Sequence, residues 1–226
     1  MKDLIDKILI YLPQYLANYG LIFSGPKTFI AARSVESDSA FSDALLFLGI
    51  SLALVVLMVS PVQPAGREFW SSFSSNLVLW LISVPLFALV IRVAWWIVGG
   101  RAPAQSFFVT YAYFFGVLVV LSAAFQLLGL GFFKMFEPEL YSQFLAASQK
   151  RSAMPDLSES SVPVIALAIV GVGFLVISAW GMVAWGAYRQ LNGLSKLRSF
   201  AAMLIAGILS WPVLAIVLIV GSAVSP

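Results

Sequence analysis

The chain of 226 residues contains no cysteine and no histidine. Without cysteine it can form neither a disulfide nor a thiolate metal site, and without histidine it lacks the commonest general base and transition-metal ligand. A phosphate-cradling GxxxxGK[ST] loop and paired carboxylates inside an apolar run are missing as well. We therefore expect a protein that is not an enzyme and that binds no metal or cofactor.

Charged residues are also scarce, at 10% of the chain, whereas hydrophobic residues make up 61%. Together with a mean hydropathy of +0.98, this leaves too little polar surface to cover a soluble globule. The net charge of +3 would suggest nucleic acid as a partner in a soluble protein. Here the basic residues lie in short segments beside apolar runs, which is typical of membrane orientation. The expected partners are membrane lipids, together with other membrane proteins or further copies of the chain, and not nucleic acid.

One stretch, Ser74 to Phe133, organises the chain. Two apolar runs in it are separated only by Gly99, Gly100, Arg101, Ala102 and Pro103. Each run can cross a hydrocarbon core of ~30 Å at ~1.5 Å per helical residue. Since the connection is short and rich in turn residues, the pattern predicts two antiparallel helices that lie side by side.

The complete pattern predicts an all-α, polytopic membrane helical bundle with five transmembrane helices. Residues 1–40 form an N-terminal amphipathic, interfacial segment and residues 41–226 the five-span domain. In the polar segment Lys134 to Ser160, helical spacing of apolar residues predicts a short amphipathic helix, and a flexible connection follows from Met154. The five spans run approximately from Ala44 to Val59, Leu77 to Val98, Ser106 to Phe132, Ser161 to Tyr188, and Ser199 to Val224. Ser161 is expected to cap the fourth span, and Pro163 suits its first turn.

The first twenty residues have apolar side chains at helical spacing, interrupted by charged and amide residues. These interruptions favour an uncleaved amphipathic helix over a signal peptide. Two placements remain open at this point. The helix lies in the membrane interface, or it packs against the cytoplasmic ends of the spans.

Orientation follows from the basic residues. With the N-terminus inside, cytoplasmic segments hold nine of the 13 lysines and arginines and outer segments hold four. The positive-inside bias predicts an N-in/C-out protein. The cytoplasmic set is Lys2, Lys7, Lys27, Arg33, Arg92, Arg101, Arg189, Lys196 and Arg198, and the outer set is Arg67, Lys134, Lys150 and Arg151.

Small residues recur in the fourth span, and Ala202, Ala206 and Ser210 recur at a spacing of four in the fifth. Small side chains allow close backbone approach, so these two spans are expected to pack tightly. Pro85 and Pro212 interrupt the second and fifth spans. Each proline is either a hinge or an ordinary feature of a membrane helix.

Arg92 is the basic residue that lies deepest within a span, ~10 Å along the helix from Gly99 at ~1.5 Å per residue. It either extends its side chain to the headgroups beside the neighbouring tryptophans or serves a function inside the membrane. A sharper hypothesis pairs Arg92 with Asp43, which opens the first span.

The order of an apolar helix, the pair Gly99 and Gly100, a small basic turn and the run SFFVTYAYFFGVLVV resembles the Yip1-domain family. The resemblance implies a five-span protein of the bacterial inner membrane, with Gly99, Gly100, Tyr111 and Tyr113 as the shared positions. The long cytosolic N-terminal region and the DLYGP-like motif of eukaryotic members are not visible, so Rab binding is not expected.

Two functions are open on this evidence. A non-enzymatic scaffold or lipid- and partner-binding subunit is favoured by the lack of reactive groups and by interfacial helices on both faces. A transporter or channel component for a small or lipidic substrate is favoured by Pro85, Pro212 and the glycines of the fourth span. The scarcity of polar groups inside the spans argues against ion coupling but leaves a wholly apolar, lipid-facing groove open.

Overall fold

The computed structural model describes the backbone of residues 2–62, 69–150, 155–157 and 160–224, and the side chains of residues 10–62, 78–147, 155–157 and 160–219. Within these residues the chain is helical and forms no β-strand. Five helices are long and apolar enough to cross a membrane, so the predicted all-α bundle with five spans is confirmed. The helices are α1 (Lys2–Ser24), α2 (Pro26–Arg33), α3 (Asp38–Val59, continued by a 3₁₀ turn at Ser60–Val62), α4 (Phe69–Ile97), α5 (Ala104–Phe136), α6 (Pro138–Lys150), α7 (Val162–Asn192) and α8 (Lys196–Val224).

The spanning helices extend beyond the predicted apolar runs because capping, rather than hydropathy, decides where a helix begins. At the start of α3, the Ser37 hydroxyl accepts a hydrogen bond from the Ala40 N–H at 3.2 Å. At the start of α7, the expected side-chain cap from Ser161 is wrong. The Val162 N–H donates instead to the hydroxyl of Ser160 at 3.1 Å, and Pro163 lies in the first turn as predicted.

α5 is the central helix of the bundle and packs between α3 and α7. Small residues allow the close approach of α5 and α7. A Cβ on Gly129 of α5 would lie 2.6 Å from Cγ2 of Val170, and a Cβ on Gly173 of α7 would collide with the side chain of Phe125. At both glycines the backbone of one helix therefore lies directly against a side chain of the other, as is typical of small-residue interfaces in membranes.

The prediction that α4 and α5 lie side by side is wrong for most of their length. α4 packs mainly along α8 and contacts α5 and α3 only sparsely. Ala202 and Ala206 are buried on α8, so the small-residue face of the fifth span is used. Since lipid tails are as apolar as the spans, steric fit rather than the short connection selects the neighbour.

The fourth and fifth spans both pack through small residues as predicted, but against different helices, and they contact each other only near the link between them. There the Trp185 Nε1–H donates to the Ser199 carbonyl at 3.1 Å. Over the rest of its length α7 packs against α5, and α8 packs against α4. The spans thus form a group of three, α3, α5 and α7, beside a pair, α4 and α8.

The N-terminal helices join the larger group. α1 packs against α3 and α5, and α2 packs against α7 and α5. Tyr15 of α1 is fully buried, and its hydroxyl lies 3.0 Å from that of Ser51 on α3. α1 therefore docks on the spans. Its outer face stays apolar, with exposed Ile10, Leu16, Leu21 and Phe23.

α6 is the amphipathic helix expected after the third span. The Tyr141 hydroxyl donates to the Val62 carbonyl at 2.5 Å, and Lys134 Nζ donates to the Pro61 carbonyl at 2.6 Å. These bonds tie the far end of α5 and the start of α6 to the end of α3. In the predicted flexible connection from Met154 to Ser161, residues 155–157, 160 and 161 are described and are not helical, and the other three positions lie outside the described residues.

The outer surfaces of α7 and α8 are strongly apolar. Leu167 and Phe174 on α7 are 72% and 69% exposed, and Ile208 and Trp211 on α8 are 69% and 73% exposed. A water-facing surface of this composition would be costly, whereas a lipid-facing surface carries no such cost. The exposure pattern is that of a membrane-embedded bundle.

Candidate functional site

The turn between α4 and α5 is built by its two glycines. Gly99 has a φ of 99°, a left-handed conformation that glycine adopts without steric cost. Its N–H donates to the Trp96 carbonyl at 3.0 Å, and the Gly100 N–H donates to the Trp95 carbonyl at 2.8 Å. This pair of bonds is the Schellman motif that closes a helix C-terminus.

Gly100 is required for a second reason, the close approach of α7. A Cβ at this position would lie 2.5 Å from Oδ1 of Asn192 and 2.8 Å from the Trp95 carbonyl oxygen. Asn192 Oδ1 accepts from the Ala102 N–H at 3.1 Å, and its Nδ2 donates to the Tyr188 carbonyl at 2.9 Å. Asn192 thereby fastens the α4–α5 turn to the end of α7.

α7 ends in the same way at the same end of the bundle. Gly193 has a φ of 62°, its N–H donates to the Gln190 carbonyl at 3.2 Å, and the Leu194 N–H donates to the Arg189 carbonyl at 3.3 Å. We call the region that holds the α4–α5 turn and the α7–α8 link the turn end.

Arg101 and Arg92 both border the turn but are held differently. Arg101 Nη1 donates to the carbonyls of Gly100 at 3.0 Å and Trp96 at 3.3 Å, and its guanidinium lies 5.8 Å from the Trp96 ring centroid. Arg92 is exposed and forms no hydrogen bond or ion pair within the described part of the chain. Arg101 is therefore fixed in place by its own turn, whereas Arg92 is free to contact a ligand.

The hypothesis that Arg92 pairs with Asp43 is wrong. The Asp43 carboxylate accepts a hydrogen bond from the Tyr11 hydroxyl at 2.7 Å. The physical reason is that α1 docks on the first turns of α3 and brings a phenol to the carboxylate, a contact across 32 positions of sequence.

A polar cluster forms around this contact, where α1, α2, α3 and α5 meet. Burial raises the pKa of the Tyr11 phenol well above its usual value of about 10, and the bond to Asp43 adds to the rise while the nearby Arg33 opposes it. The phenol therefore remains a hydrogen-bond donor at physiological pH. The Arg33 guanidinium itself stacks over the Phe29 ring at 5.1 Å.

Tyr111 and Tyr113 are both buried in the core on α5 but contact different groups. The Tyr113 ring lies 5.1 Å from that of Phe47 on α3 and 5.9 Å from that of Phe29 on α2. The Tyr111 ring stacks on Phe115 at 5.3 Å, and its hydroxyl has no hydrogen-bond partner among the described residues. Both tyrosines thus act in packing, and neither lines the cavities described next.

A small cavity of about 140 Å³ opens at the turn end; we call it the turn cavity. Trp95 lines it, is 1% exposed, and stacks on the rings of Trp185 at 5.4 Å and Tyr188 at 6.0 Å. Its Nε1–H has no hydrogen-bond partner in the described part of the chain. The cavity is lined by Arg92, Trp95, Trp96, Gly100, Arg101, Ala102, Phe107 and Asn192.

Two larger spaces separate α4 from the group of three. The near cleft, of about 390 Å³, adjoins the turn end and is lined by Phe41, Pro85, Ala88, Leu89, Arg92, Ala104, Gln105, Phe107 and Phe108. The far cleft, of about 430 Å³, is lined by Val55, Val56, Val59, Trp80, Phe115, Val119, Ser122, Ala123 and Gln126. Both are mainly apolar, as expected of surfaces that contact lipid chains.

Of the six residues singled out from sequence, the structure brings Arg92, Gly99 and Gly100 together at the turn and places Asp43, Tyr111 and Tyr113 elsewhere in the core. Sequence reasoning missed Trp95, as a cavity residue, and Asn192. The one available signal was Gly193, which predicts a helix end and hence a polar side chain near an open turn.

The described residues contain no group of three or more acidic, histidine or cysteine side chains that could hold a metal ion. The turn end places guanidinium groups beside apolar side chains, and the described residues there include no nucleophile beside a base. Fold and surface together define a multi-pass helical membrane protein. Comparisons with protein families, curated proteins and solved structures find no match for this chain.

Proposed function

We propose that this protein is a non-enzymatic, Yip1-like subunit of the bacterial inner membrane that binds lipid and acts as a scaffold in membrane organisation. The observation that carries the proposal is the separation of α4 from α3 and α5 by the near and far clefts. Spaces of this size between apolar helices in a bilayer accommodate acyl chains. Partner proteins or further copies of the chain then contact a surface that contains bound lipid.

The chemistry of the cleft walls supports lipid rather than a polar solute. In the near cleft, Arg92 and Gln105 are the polar members of a lining that is otherwise aliphatic, aromatic or proline. A solute that crosses with ions or protons requires ionisable groups near the middle of the spans. The far cleft offers only Ser122 and Gln126 as polar side chains.

Filling the near cleft is the direct test. Ala88 lines it from α4 and is half-buried, so Ala88→Trp is expected to occupy the space and reduce the number of lipids retained on the purified protein. Ala215→Trp adds the same ring to an exposed position on α8 and should leave lipid retention unchanged. Retained lipid is counted by native mass spectrometry after purification in mild detergent.

An equal lipid count for Ala88→Trp and the unsubstituted protein would contradict the proposal, provided that both elute as the same folded species in size-exclusion chromatography. A fall of the same size for Ala215→Trp would also contradict it, because the loss would then follow from an added surface tryptophan rather than from a filled cleft.

For location, we propose the N-in/C-out orientation, supported by nine of 13 basic residues on the N-terminal side of the membrane. The turn end then faces the cytoplasm. A phosphatase reporter fused after Pro226 is expected to be active, because that enzyme requires an exported location. Activity of a cytoplasmic reporter at the same position would reverse the orientation.

Lipid translocation is a second candidate, favoured by one specific observation. Pro85 and Pro212, the two prolines inside predicted spans that could act as hinges, lie on α4 and α8, and these helices pack on each other and contact the other spans sparsely. A pair hinged in this way could widen the clefts. Transfer of labelled lipid between leaflets of reconstituted vesicles, faster than in empty vesicles, would favour this candidate over a scaffold.

A further inference from the structure

The turn cavity and the near cleft are neighbours. Arg92 and Phe107 line both. The turn cavity, of about 140 Å³, is bordered by two guanidinium groups and an asparagine, whereas the near cleft, of about 390 Å³, is bordered mainly by apolar side chains. A polar compartment beside a larger apolar one matches the chemistry of a phospholipid, whose charged headgroup is followed by acyl chains.

The polar compartment carries positive charge that no carboxylate balances. Arg92 and Arg101 line it, and among the described residues no aspartate or glutamate lines either compartment. A third guanidinium lies close by, since Arg198 Nη1 is 3.5 Å from the position that a Cβ of Gly99 would occupy. Guanidinium groups bind phosphate oxygens through two parallel charge-assisted hydrogen bonds. This cluster therefore attracts a phosphate, and the described lining has no carboxylate to balance the charge of an amine.

A second, independent observation comes from Trp95. Its indole Nε1–H is buried and has no acceptor among the described residues. Leaving such a donor unpaired costs about 1–3 kcal/mol. Trp95 also lines the turn cavity, so the cavity borders a residue whose buried donor lacks an acceptor among the described residues.

We propose that the turn cavity binds the phosphate of an anionic phospholipid and that one acyl chain of this lipid occupies the near cleft. Arg92 and Arg101 hold the phosphate. The inference rests on the proposed lipid-binding function and adds the headgroup class to it. Zwitterionic lipids with an ammonium group bind more weakly, because the three arginines repel that group.

The test is native mass spectrometry of the full chain titrated with phosphatidylglycerol or with phosphatidylethanolamine of the same acyl chains. The unsubstituted protein is expected to bind phosphatidylglycerol about tenfold more tightly, which corresponds to one charge-assisted interaction of about 1.4 kcal/mol. Arg92→Gln and Arg101→Gln should each remove most of this preference. Arg92 is exposed and has no partner to lose, so its replacement leaves the fold intact.

Two further variants make the result specific. Lys134→Gln removes one positive charge at the opposite end of α5, where Lys134 is exposed, and should keep the preference. Arg92→Lys keeps the charge but loses the planar fork, and should bind phosphatidylglycerol more weakly than the unsubstituted protein and more tightly than Arg92→Gln.

Each remaining outcome overturns a defined part of the proposal. Equal binding of the two lipids, with Ala88→Trp still reducing both, would refute the headgroup inference and leave the lipid-binding function standing. No retained lipid of either class would refute both. If free glycerol phosphate displaces all of the bound lipid, the cavity binds a soluble anion instead. If Lys134→Gln loses the preference for phosphatidylglycerol as fully as Arg92→Gln does, the preference follows from overall charge and not from the turn cavity.

Discussion

Gly100→Ala is expected to lower the free energy of unfolding by about 2 kcal/mol. The new methyl group would meet Oδ1 of Asn192 at 2.5 Å and the Trp95 carbonyl oxygen at 2.8 Å. The Asn192 side chain can move aside only by giving up its bond to the Ala102 N–H. The backbone carbonyl cannot move without opening the turn, because it already accepts the Gly100 N–H.

Unfolding by sodium dodecyl sulfate in mixed micelles, followed by tryptophan fluorescence, measures this loss. Gly207→Ala is the matched control. Gly207 lies exposed on α8, and no atom lies within 4 Å of the position of its Cβ. Equal stability of the two variants would show that the α4–α5 turn does not depend on the close approach of Asn192.

This variant also connects the turn to the proposed lipid site. Gly100 and Asn192 both line the turn cavity, so displacing Asn192 changes the cavity in which Arg92 and Arg101 hold a phosphate. Gly100→Ala is therefore expected to weaken lipid preference as well as stability, whereas Arg92→Gln affects preference alone. Comparing the two separates the structural contribution of the turn from its binding contribution.

The five spans could be predicted because crossing a bilayer constrains length and hydropathy within each segment. The run from Ala104 to Phe136 satisfies this condition whatever it packs against. Exact ends could not be predicted in the same way, because they depend on single bonds. The contact of the Ser160 hydroxyl with the Val162 N–H, where Ser161 was the expected cap, is one example.

The neighbour of each span was not predictable from the apolar pattern. In water, burying apolar area would bring the two long helices of a hairpin together, but lipid supplies no such force. The buried Ala202 and Ala206 on α8 indicated a packing face without indicating that α4 would occupy it. Sequence proximity therefore gave the wrong partner for α4.

The candidate site could be predicted only where the backbone itself sets the residue type. Gly99 and Gly100 were found because a short turn requires glycine. Asn192 reaches this turn, and Trp95 stacks on Trp185, through tertiary contacts across 90 positions of sequence, which no local pattern records. The partner of Asp43 could not be predicted either. It is Tyr11 on α1, and packing of α1 against the spans was only one of the two placements that the sequence left open.

Gly173→Ala is expected to have the second large effect, a loss of about 1–3 kcal/mol, typical of an overpacked core. The added methyl group would collide with Cβ and Cγ of Phe125 on α5. Because these atoms are the base of the side chain, no rotation of the ring relieves the contact. The helices α5 and α7 must separate, although they form one of the most extensive interfaces of the bundle.

Gly171→Ala, two positions earlier on the same helix, is the control. Gly171 is exposed and nothing lies within 4 Å of its added Cβ, so helix α7 gains an alanine without meeting α5. The same micellar unfolding measurement compares the two variants. If Gly173→Ala proves as stable as Gly171→Ala, α5 and α7 do not approach each other as closely as described. The position of α5, which forms one wall of both the near and the far cleft, would then be wrong as well.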